Sequence, residues 1–163
     1  MAHTNFLKLT FGFPRLILLQ AIKPLRLALR KSQEPPKSQQ EMAQMIEKAL
    51  SHEIRAGYTH RFIPLLFVTV NERVFCRRYS YSEPSWHSSF GRDPTGQIRL
   101  DKTTVDIRAR LPQDLEEVLP VIDLAYTEKL KQLGASFLLA GATEPRAQNS
   151  TLELTLANKP GWH

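Results

Sequence analysis

The sequence predicts an α+β fold in which six or so antiparallel strands, with helices at the crossings, form a small barrel. Three observations support this class. Two apolar runs, residues 64–70 and 73–79, meet at a two-residue polar break. Residues 103–111 and 150–156 alternate apolar and polar side chains, as half-exposed antiparallel strands do. Two further segments space their apolar residues as helices do. Hairpin connections between the strands favour a barrel over an open sheet.

The two apolar runs predict a β-hairpin that turns at Asn71 and Glu72. Successive side chains on a strand face opposite ways, so the return run has two different faces. These faces carry Val74, Cys76 and Arg78 on one side, and Phe75, Arg77 and Tyr79 on the other. The return strand therefore begins apolar and ends basic.

A polar segment rich in hydroxyl and aromatic side chains, residues 80–92, follows the hairpin. It predicts a short helix that is entered at Pro84 and closed near Gly91, and it ends with Arg92. A strand end beside a helix start is a favourable place for an anion, because helix N-termini present free N–H groups. We therefore expect any binding site in this part of the chain.

Arg77 and Arg78 are the best candidates for holding a phosphate, since guanidinium groups form bidentate, charge-assisted hydrogen bonds. The hydroxyls that could assist them belong to Ser80, Ser82 and Ser85. Two other interpretations remain open. The arginines could pair with Glu83, or they could form a solvated strand end.

The remaining segments complete the predicted order of elements. We expect a helix over residues 41–55 ended by Gly57, and a helix over 113–133 ended by Gly134. Pro120 either bends the second helix or begins another one. The other predicted elements are a short strand over 58–63, strands over 97–100 and 103–111, a buried turn over 137–139 and a closing strand over 150–156.

The charge is concentrated in the first 40 residues. The chain carries a formal charge of +6, and residues 1–40 contain seven basic side chains against Glu34 alone, so the remainder is neutral. The sequence therefore predicts a basic amphipathic arm and linker over 1–40, joined to a barrel domain over 41–163. The sequence pI of 9.7 describes the arm and does not predict binding to nucleic acid.

Two interpretations of the arm remain open. Residues 1–31 could lie on an anionic membrane surface or dock on a partner, as basic amphipathic helices do. They could also pack on the barrel domain or on a dimer mate, with the basic face solvated. Pro24 should interrupt any helix in this segment.

Several classes of protein are disfavoured. The single cysteine, Cys76, rules out an intramolecular disulfide, and its strand position favours a buried residue over a nucleophile. No apolar run is long enough to span a membrane, and no secretory signal is evident, so we expect a cytoplasmic protein with peripheral membrane contact at most. Only His60 and His87 lie near the hairpin, without acidic companions at ligand spacing, so no metal site is expected.

Five short motifs resemble a small family of uncharacterised bacterial proteins among the flavin-binding split β-barrels. That superfamily includes pyridoxamine phosphate oxidase and deazaflavin-dependent nitroreductases. The motifs are Val74-Phe75-Cys76-Arg77, Pro84-Ser85-Trp86, Gly96-Gln97-Ile98-Arg99, residues 122–129 and Thr151-Leu152-Glu153-Leu154. The resemblance implies a six-stranded split β-barrel, usually a homodimer, that holds FMN or a related flavin in a groove between subunits.

The resemblance also implies roles for individual residues. Arg77 matches the arginine that ends the family's hairpin strand, and Trp86 matches the tryptophan that opens its short helix. Trp86 and Tyr79 would flank the isoalloxazine ring, or simply cap the barrel. The chain departs from the family at Arg78, Tyr81 and the pair His87-Ser88, where Arg78 or Arg92 could replace a lost phosphate contact.

Two functions follow from these expectations. The first is a flavin-binding oxidoreductase, similar to the nitroreductases, acting on a small or hydrophobic substrate. Because the flavin would carry the redox chemistry, the absence of an acid/base pair does not exclude an enzyme. The second is a cofactor-free dimeric module for binding or structure, whose basic arm docks on a membrane or a partner.

Overall fold

A computed structural model describes residues 31–157, which form an α+β domain with a seven-stranded antiparallel sheet. The helices are α1 (Gln39–Lys48), α2 (Trp86–Arg92), α3 (Leu115–Gln132), α4 (Leu139–Thr143) and α5 (Pro145–Gln148), with a 3₁₀ turn at Ser136–Leu138. The strands are β1 (His52–Ala56), β2 (Ile63–Pro64), β3 (Phe67–Val70), β4 (Arg73–Cys76), β5 (Thr95–Leu100), β6 (Thr103–Arg110) and β7 (Leu152–Leu156).

The strand order forces the sheet to curl. The order is β2-β1-β5-β6-β7-β4-β3, which places β2 and β3 at opposite edges. Only Leu65 and Leu66 separate these two strands along the chain. Three Cα–Cα steps span at most about 11 Å, so the two edges must approach each other at this link. The sheet is therefore a curled half-barrel, which confirms the α+β class and corrects the expected strand count from six to seven.

The central hairpin has the predicted turn, but its strands are shorter than the predicted runs 64–70 and 73–79. β3 and β4 pair in antiparallel register from Phe67 opposite Cys76 to Val70 opposite Arg73. Asn71 and Glu72 have φ angles of 49° and 64°. Positive φ at both central residues is the type I′ geometry, whose twist matches that of paired strands.

The first predicted helix is too long. α1 ends at Lys48, and the next residues form β1, which pairs with β5 so that Ile54 lies opposite Ile98. This partner lies more than 40 residues further along the chain, so local spacing could not reveal the strand. Gly57, with a φ of 62°, ends β1 and not a helix. This strand accounts for the seventh member of the sheet.

The second predicted helix is α3, a single helix that Pro120 does not divide. Pro120 is exposed, so its ring meets no neighbouring element of the described chain on that side of the helix. Gly134, with a φ of 68°, follows the helix as predicted. The expected buried turn at 137–139 is wrong, because Phe137 is 82% exposed. The segment instead forms the 3₁₀ turn and the start of α4.

The sheet has an apolar cluster on each face. The larger cluster joins α1 to all the longer strands through residues such as Met42, Ile54, Val74 and Ile98. The smaller one joins Val68 and Phe75 of the hairpin to α3 residues Ile122, Tyr126 and Leu130. Because Val74 and Phe75 are adjacent, the hairpin is covered on both faces. This double burial fixes the orientation of the side chains that follow β4.

The predicted linker contacts the domain where the structure describes it. Pro36 is buried, and the backbone N–H of Gln33 donates to Thr103 Oγ1 at 2.9 Å. The Gln39 side chain donates to the Leu154 carbonyl and accepts from the Leu156 N–H, which ties the start of α1 to β7. The predicted arm, residues 1–30, lies outside the described residues. Within residues 31–157, no helix is long and apolar enough to cross a membrane.

Candidate functional site

The two central arginines of the predicted site lie on opposite sides of the chain after β4. Arg77 follows the face of Phe75 and enters the cluster under α3, whereas Arg78 turns toward residues 80–83. The pair therefore does not form a joint clamp on one phosphate.

Arg77 is completely buried and most of its donors are occupied. Its Nη1 donates to Asp123 Oδ1 at 2.6 Å and to the Ala142 carbonyl at 2.8 Å, and its Nε donates to Thr151 Oγ1 at 3.0 Å. The guanidinium also lies over the Tyr126 ring, 4.9 Å from its centroid. Arg77 Nη2 is buried without a partner among residues 31–157. Arg77 therefore links the end of β4 to α3, α4 and the start of β7 inside the domain.

Asp123 completes this connection and was not singled out from the sequence as a partner. Its second oxygen, Oδ2, accepts from Gln148 Nε2 at 2.7 Å. The carboxylate thereby joins β4, α3 and α5 around one buried charge. Breaking such a pair costs several kcal/mol, because one charge is left uncompensated. Nothing adjacent to Asp123 in the sequence indicates that its partner lies on the central hairpin.

Arg78 is held by the loop that follows it. Its Nε donates to the Ser80 carbonyl at 2.9 Å, and its Nη2 donates to Glu83 Oε1 at 3.0 Å. The Glu83 carboxylate has a pKa lowered to about 2, first by hydrogen bonding with Ser88 and then by Arg78 and Ser85. The pairing with Glu83, which the sequence left open, is therefore present.

Two guanidinium groups lie over the ring of Tyr81. Arg78 is 5.1 Å from the centroid of its ring, and Arg146 is 3.7 Å from it. The Tyr81 hydroxyl oxygen is buried and has no hydrogen-bond partner in the described part of the chain. Arg146 belongs to α5 and was not predicted, since it lies more than 60 residues from Tyr81 in the sequence. The structure thus adds Tyr81 and Arg146 to the candidate residues.

The other predicted residues have mainly structural contacts. Ser85 and Ser88 form a capping box at the start of α2. Trp86 packs against the larger cluster and meets the Phe90 ring edge-on at 6.2 Å. This contact favours capping of the barrel over stacking on a ligand. The exposed Arg92 donates to Ser89 Oγ at 3.4 Å, and the exposed Ser80 and Ser82 offer their carbonyls to Arg78.

Three titratable groups near the site are held neutral by burial. The Cys76 thiol is completely buried, which raises its pKa far above the ordinary value, so it is no nucleophile. Tyr79 is 44% exposed, but shielding of its hydroxyl raises its pKa to about 12. Burial also lowers the pKa of His87, whose Nε2 lies 3.0 Å from the Ser150 carbonyl. Cys76 and Tyr79 therefore stay protonated at neutral pH, and Nε2 of His87 is engaged with the Ser150 carbonyl.

A polar groove of about 160 Å³ lies away from these residues, between α1 and α3. Glu47 crosses it, accepting from Thr69 Oγ1 at 2.5 Å and from Lys129 Nζ at 3.4 Å. Its lining residues are Glu47, Val68, Thr69, Ala125, Glu128, Lys129 and Gln132. No group of three His, Cys, Asp or Glu side chains between residues 31 and 157 could hold a metal ion.

A flavin nucleotide would need both a place for its phosphate and a surface for its ring. A phosphate suits the cluster of Arg78, Tyr81 and Arg146, because a buried hydroxyl without a partner lies beside two cations. The isoalloxazine ring is not matched, since Arg77 is internal and Trp86 packs on the core. The fit is therefore to a phosphate group and not to the whole cofactor.

The fold and this cluster define an α+β protein with a curled antiparallel sheet. The cluster of Arg78, Tyr81 and Arg146 is called its arginine-rich end. The chain belongs to DUF2255, a family described as an uncharacterised protein conserved in bacteria, whose sequence model matches residues 39–154. The match spans every element from α1 to the middle of β7 and includes Arg78, Tyr81 and Arg146. A search of curated proteins found no match.

Proposed function

We propose that the protein binds a small ligand through a phosphate group at Arg78, Tyr81 and Arg146, and that FMN or a related flavin is the candidate ligand. One observation carries the proposal. Both guanidinium groups lie over the Tyr81 ring, while its buried hydroxyl lacks a partner within residues 31–157. A buried hydroxyl without an acceptor costs about 1–3 kcal/mol, which a phosphate oxygen would recover.

The charge balance of the cluster favours an anion. Glu83 neutralises Arg78, but no ion pair involves Arg146 among the described side chains. Arg146 is exposed, so its donors are available to a ligand. Stacking on Tyr81 holds the guanidinium in place, and a fixed guanidinium loses less entropy when it binds a phosphate.

A bound flavin would supply the electron or hydride transfer of an oxidoreductase. The residues of this chain would hold the phosphate: Arg146 by charge, and Tyr81 by donating its hydroxyl hydrogen. Arg78 would keep the Tyr81 ring in position, because its own donors bind the Ser80 and Ser82 carbonyls and Glu83. The small or hydrophobic substrate of such an enzyme is not defined by these contacts.

A second candidate is the cofactor-free module for binding or structure. The observation that favours it is the internal pairing of Arg77 with Asp123, together with the packing of Trp86 on the core. Arg77 and Trp86, which the resemblance assigns to a flavin site, then have structural roles only. Under this alternative the arginine-rich end accepts inorganic phosphate or a simple anion without a ring system.

Comparison of FMN with riboflavin separates the two candidates, because riboflavin lacks the phosphate. Flavin fluorescence should report binding of FMN at least tenfold tighter than that of riboflavin, as expected for one charge-assisted contact. Arg146→Gln should remove this difference. Arg108→Gln, which changes an exposed arginine of β6, should preserve it.

A colourless purified protein that binds neither flavin would remove the first candidate. Equal affinity for FMN and riboflavin would exclude the phosphate role of Arg146. Binding of inorganic phosphate that Arg146→Gln abolishes, without any flavin binding, would support the second candidate.

A further inference from the structure

The outward face of α3 has no partner among the described residues. Its side chains are Glu117, Pro120, Val121, Leu124, Glu128 and Lys131, all exposed. At 100° per residue, these six positions fall within about 100° of one another. Val121 is 48% exposed and Leu124 is 56% exposed. Since the opposite face packs Ile122, Tyr126 and Leu130 on the sheet, Val121 and Leu124 are apolar side chains exposed on the outward side of α3.

The two charged ends of this outward face lie evenly about Leu124. Glu117 and Lys131 lie at equal distances before and after Leu124, two helical turns away in each direction. Neither Glu117 nor Lys131 has an ion pair with another described side chain. The apolar centre is therefore flanked by a carboxylate at one end and an ammonium at the other.

We propose that a second copy of this chain covers the face through an antiparallel α3–α3 contact with its two-fold axis at Leu124. Two-fold symmetry brings Leu124 against Leu124 of the partner copy and Glu117 of each chain against Lys131 of the other. A parallel contact would instead oppose Glu117 to Glu117. The charge pattern therefore favours the antiparallel arrangement. The face complements itself in this orientation, which supports a second copy of the chain over an unrelated partner.

The contact is small. An 18-residue helix is about 27 Å long, and one helix face is less than the roughly 800 Å² per partner of a standard stable interface. We therefore expect a dimer that dissociates on dilution. Sedimentation equilibrium over a range of concentrations should show a reversible monomer–dimer equilibrium.

Charge reversal tests the pairing. Glu117→Lys should weaken the dimer at least tenfold, because each two-fold contact then opposes two cations. The double variant Glu117→Lys with Lys131→Glu should restore dimerisation, since the opposite charges have merely exchanged places. Far-UV circular dichroism confirms that α3 stays folded in both variants.

Cross-linking tests the axis independently. Leu124→Cys places two thiols on the axis, and diamide should convert them into a disulfide-linked dimer while itself being reduced. Tyr58→Cys, in the exposed turn after β1, is the matched control and should form no disulfide-linked dimer under the same conditions. The native Cys76 is buried and should not react.

Three results would overturn the proposal. The first is a wild-type protein that is monomeric at every concentration. The second is a Glu117→Lys variant whose dimer is as stable as that of the wild type. The third is a Leu124→Cys variant that cross-links no faster than the control.

Discussion

At the scale of single residues, Tyr81 combines two opposing features. Its ring is stabilised by the guanidinium groups of Arg78 and Arg146, and its hydroxyl is buried without an acceptor in the described chain. Cation–π contacts contribute about 0.5–2 kcal/mol each, whereas the unpaired hydroxyl costs about 1–3 kcal/mol. The position is therefore less stable than a phenylalanine there would be, unless a ligand provides the acceptor.

Tyr81→Phe should consequently stabilise the free protein and weaken ligand binding. We expect the free energy of unfolding to rise by about 1 kcal/mol, because the ring contacts remain and the unpaired hydroxyl is removed. Affinity for FMN or inorganic phosphate should fall by at least fivefold. Urea unfolding and ligand titration measure the two effects. Tyr58→Phe, at an exposed turn, should change neither.

His52 is a second residue whose burial has a measurable consequence. Its ring stacks on Phe67 at 5.1 Å, its Nε2 lies 2.9 Å from the Ile46 carbonyl, and its Nδ1 accepts from the Phe67 N–H. These contacts assign the neutral tautomer with hydrogen on Nε2. Burial lowers its pKa from 6.5 to about 4, opposed mainly by the bond to Ile46.

The protein should lose stability as the pH falls from about 6.5 to about 4. In this range the unfolded chain protonates His52 and the folded one does not, so the contribution present above pH 6.5 is lost progressively. The full loss is about 3 kcal/mol. His52→Gln keeps a donor for Ile46 and should flatten the pH dependence by this amount. His60→Gln, at an exposed position, should follow the wild-type curve in urea unfolding.

At the scale of elements, the packing of α2 on the sheet depends on one glycine. A Cβ at Gly96 would lie 2.5 Å from the Arg55 carbonyl oxygen and 2.7 Å from the Phe90 ring. Gly96 lies on β5 opposite Ala56 of β1, and Phe90 is the buried residue of α2. The backbone of β1 and the ring of α2 therefore meet at this one position.

Gly96→Ala should destabilise the domain by about 2 kcal/mol or more, because overpacking forces either the strand pair or α2 to move. Gly91→Ala is the matched control, since a Cβ there meets nothing within 4 Å. The control should be neutral or slightly stabilising, as alanine favours a helix. Thermal unfolding distinguishes the two variants, and equal melting temperatures would contradict the close packing.

Local patterns predicted the elements whose signals are local. The β3–β4 hairpin, the alternating β6 and the glycine after α3 were all placed correctly from turn residues and spacing. β1 was missed because its evidence is the pairing with β5, which no window around residue 52 contains. The same distinction holds for the candidate site, where residues close together in the sequence were identified and distant ones were not. Arg78 and Glu83 lie five residues apart, so their pairing was among the interpretations left open, whereas Asp123 and Arg146 reach the site only through folding.

At the scale of the whole molecule, charge separates the N-terminal segment from the rest. Of the seven basic residues among the first 40, five lie within residues 8–30: Lys8, Arg15, Lys23, Arg26 and Arg30. The remainder of the chain is neutral, so any electrostatic attraction to an anionic surface must come mainly from this segment.

The membrane interpretation predicts that the full chain sediments with anionic vesicles at low salt and is released by added salt. Replacing those five basic residues by glutamine should abolish the binding. Replacing Arg61, Arg92 and Arg108 of the domain should not. A full chain that stays in the supernatant with phosphatidylserine vesicles would support the other interpretation, in which the segment packs on protein.

The pairing of β4 with β7 has a consequence for synthesis on the ribosome. The β3–β4 hairpin is synthesised well before β7, the strand that pairs with the free edge of β4. At about 5–20 residues per second, the β4 edge waits on the order of seconds for its neighbour. The nascent chain must keep this edge from pairing with other molecules during that time. Loss of residues 152–156 would therefore leave the sheet open at its centre and the chain prone to aggregation.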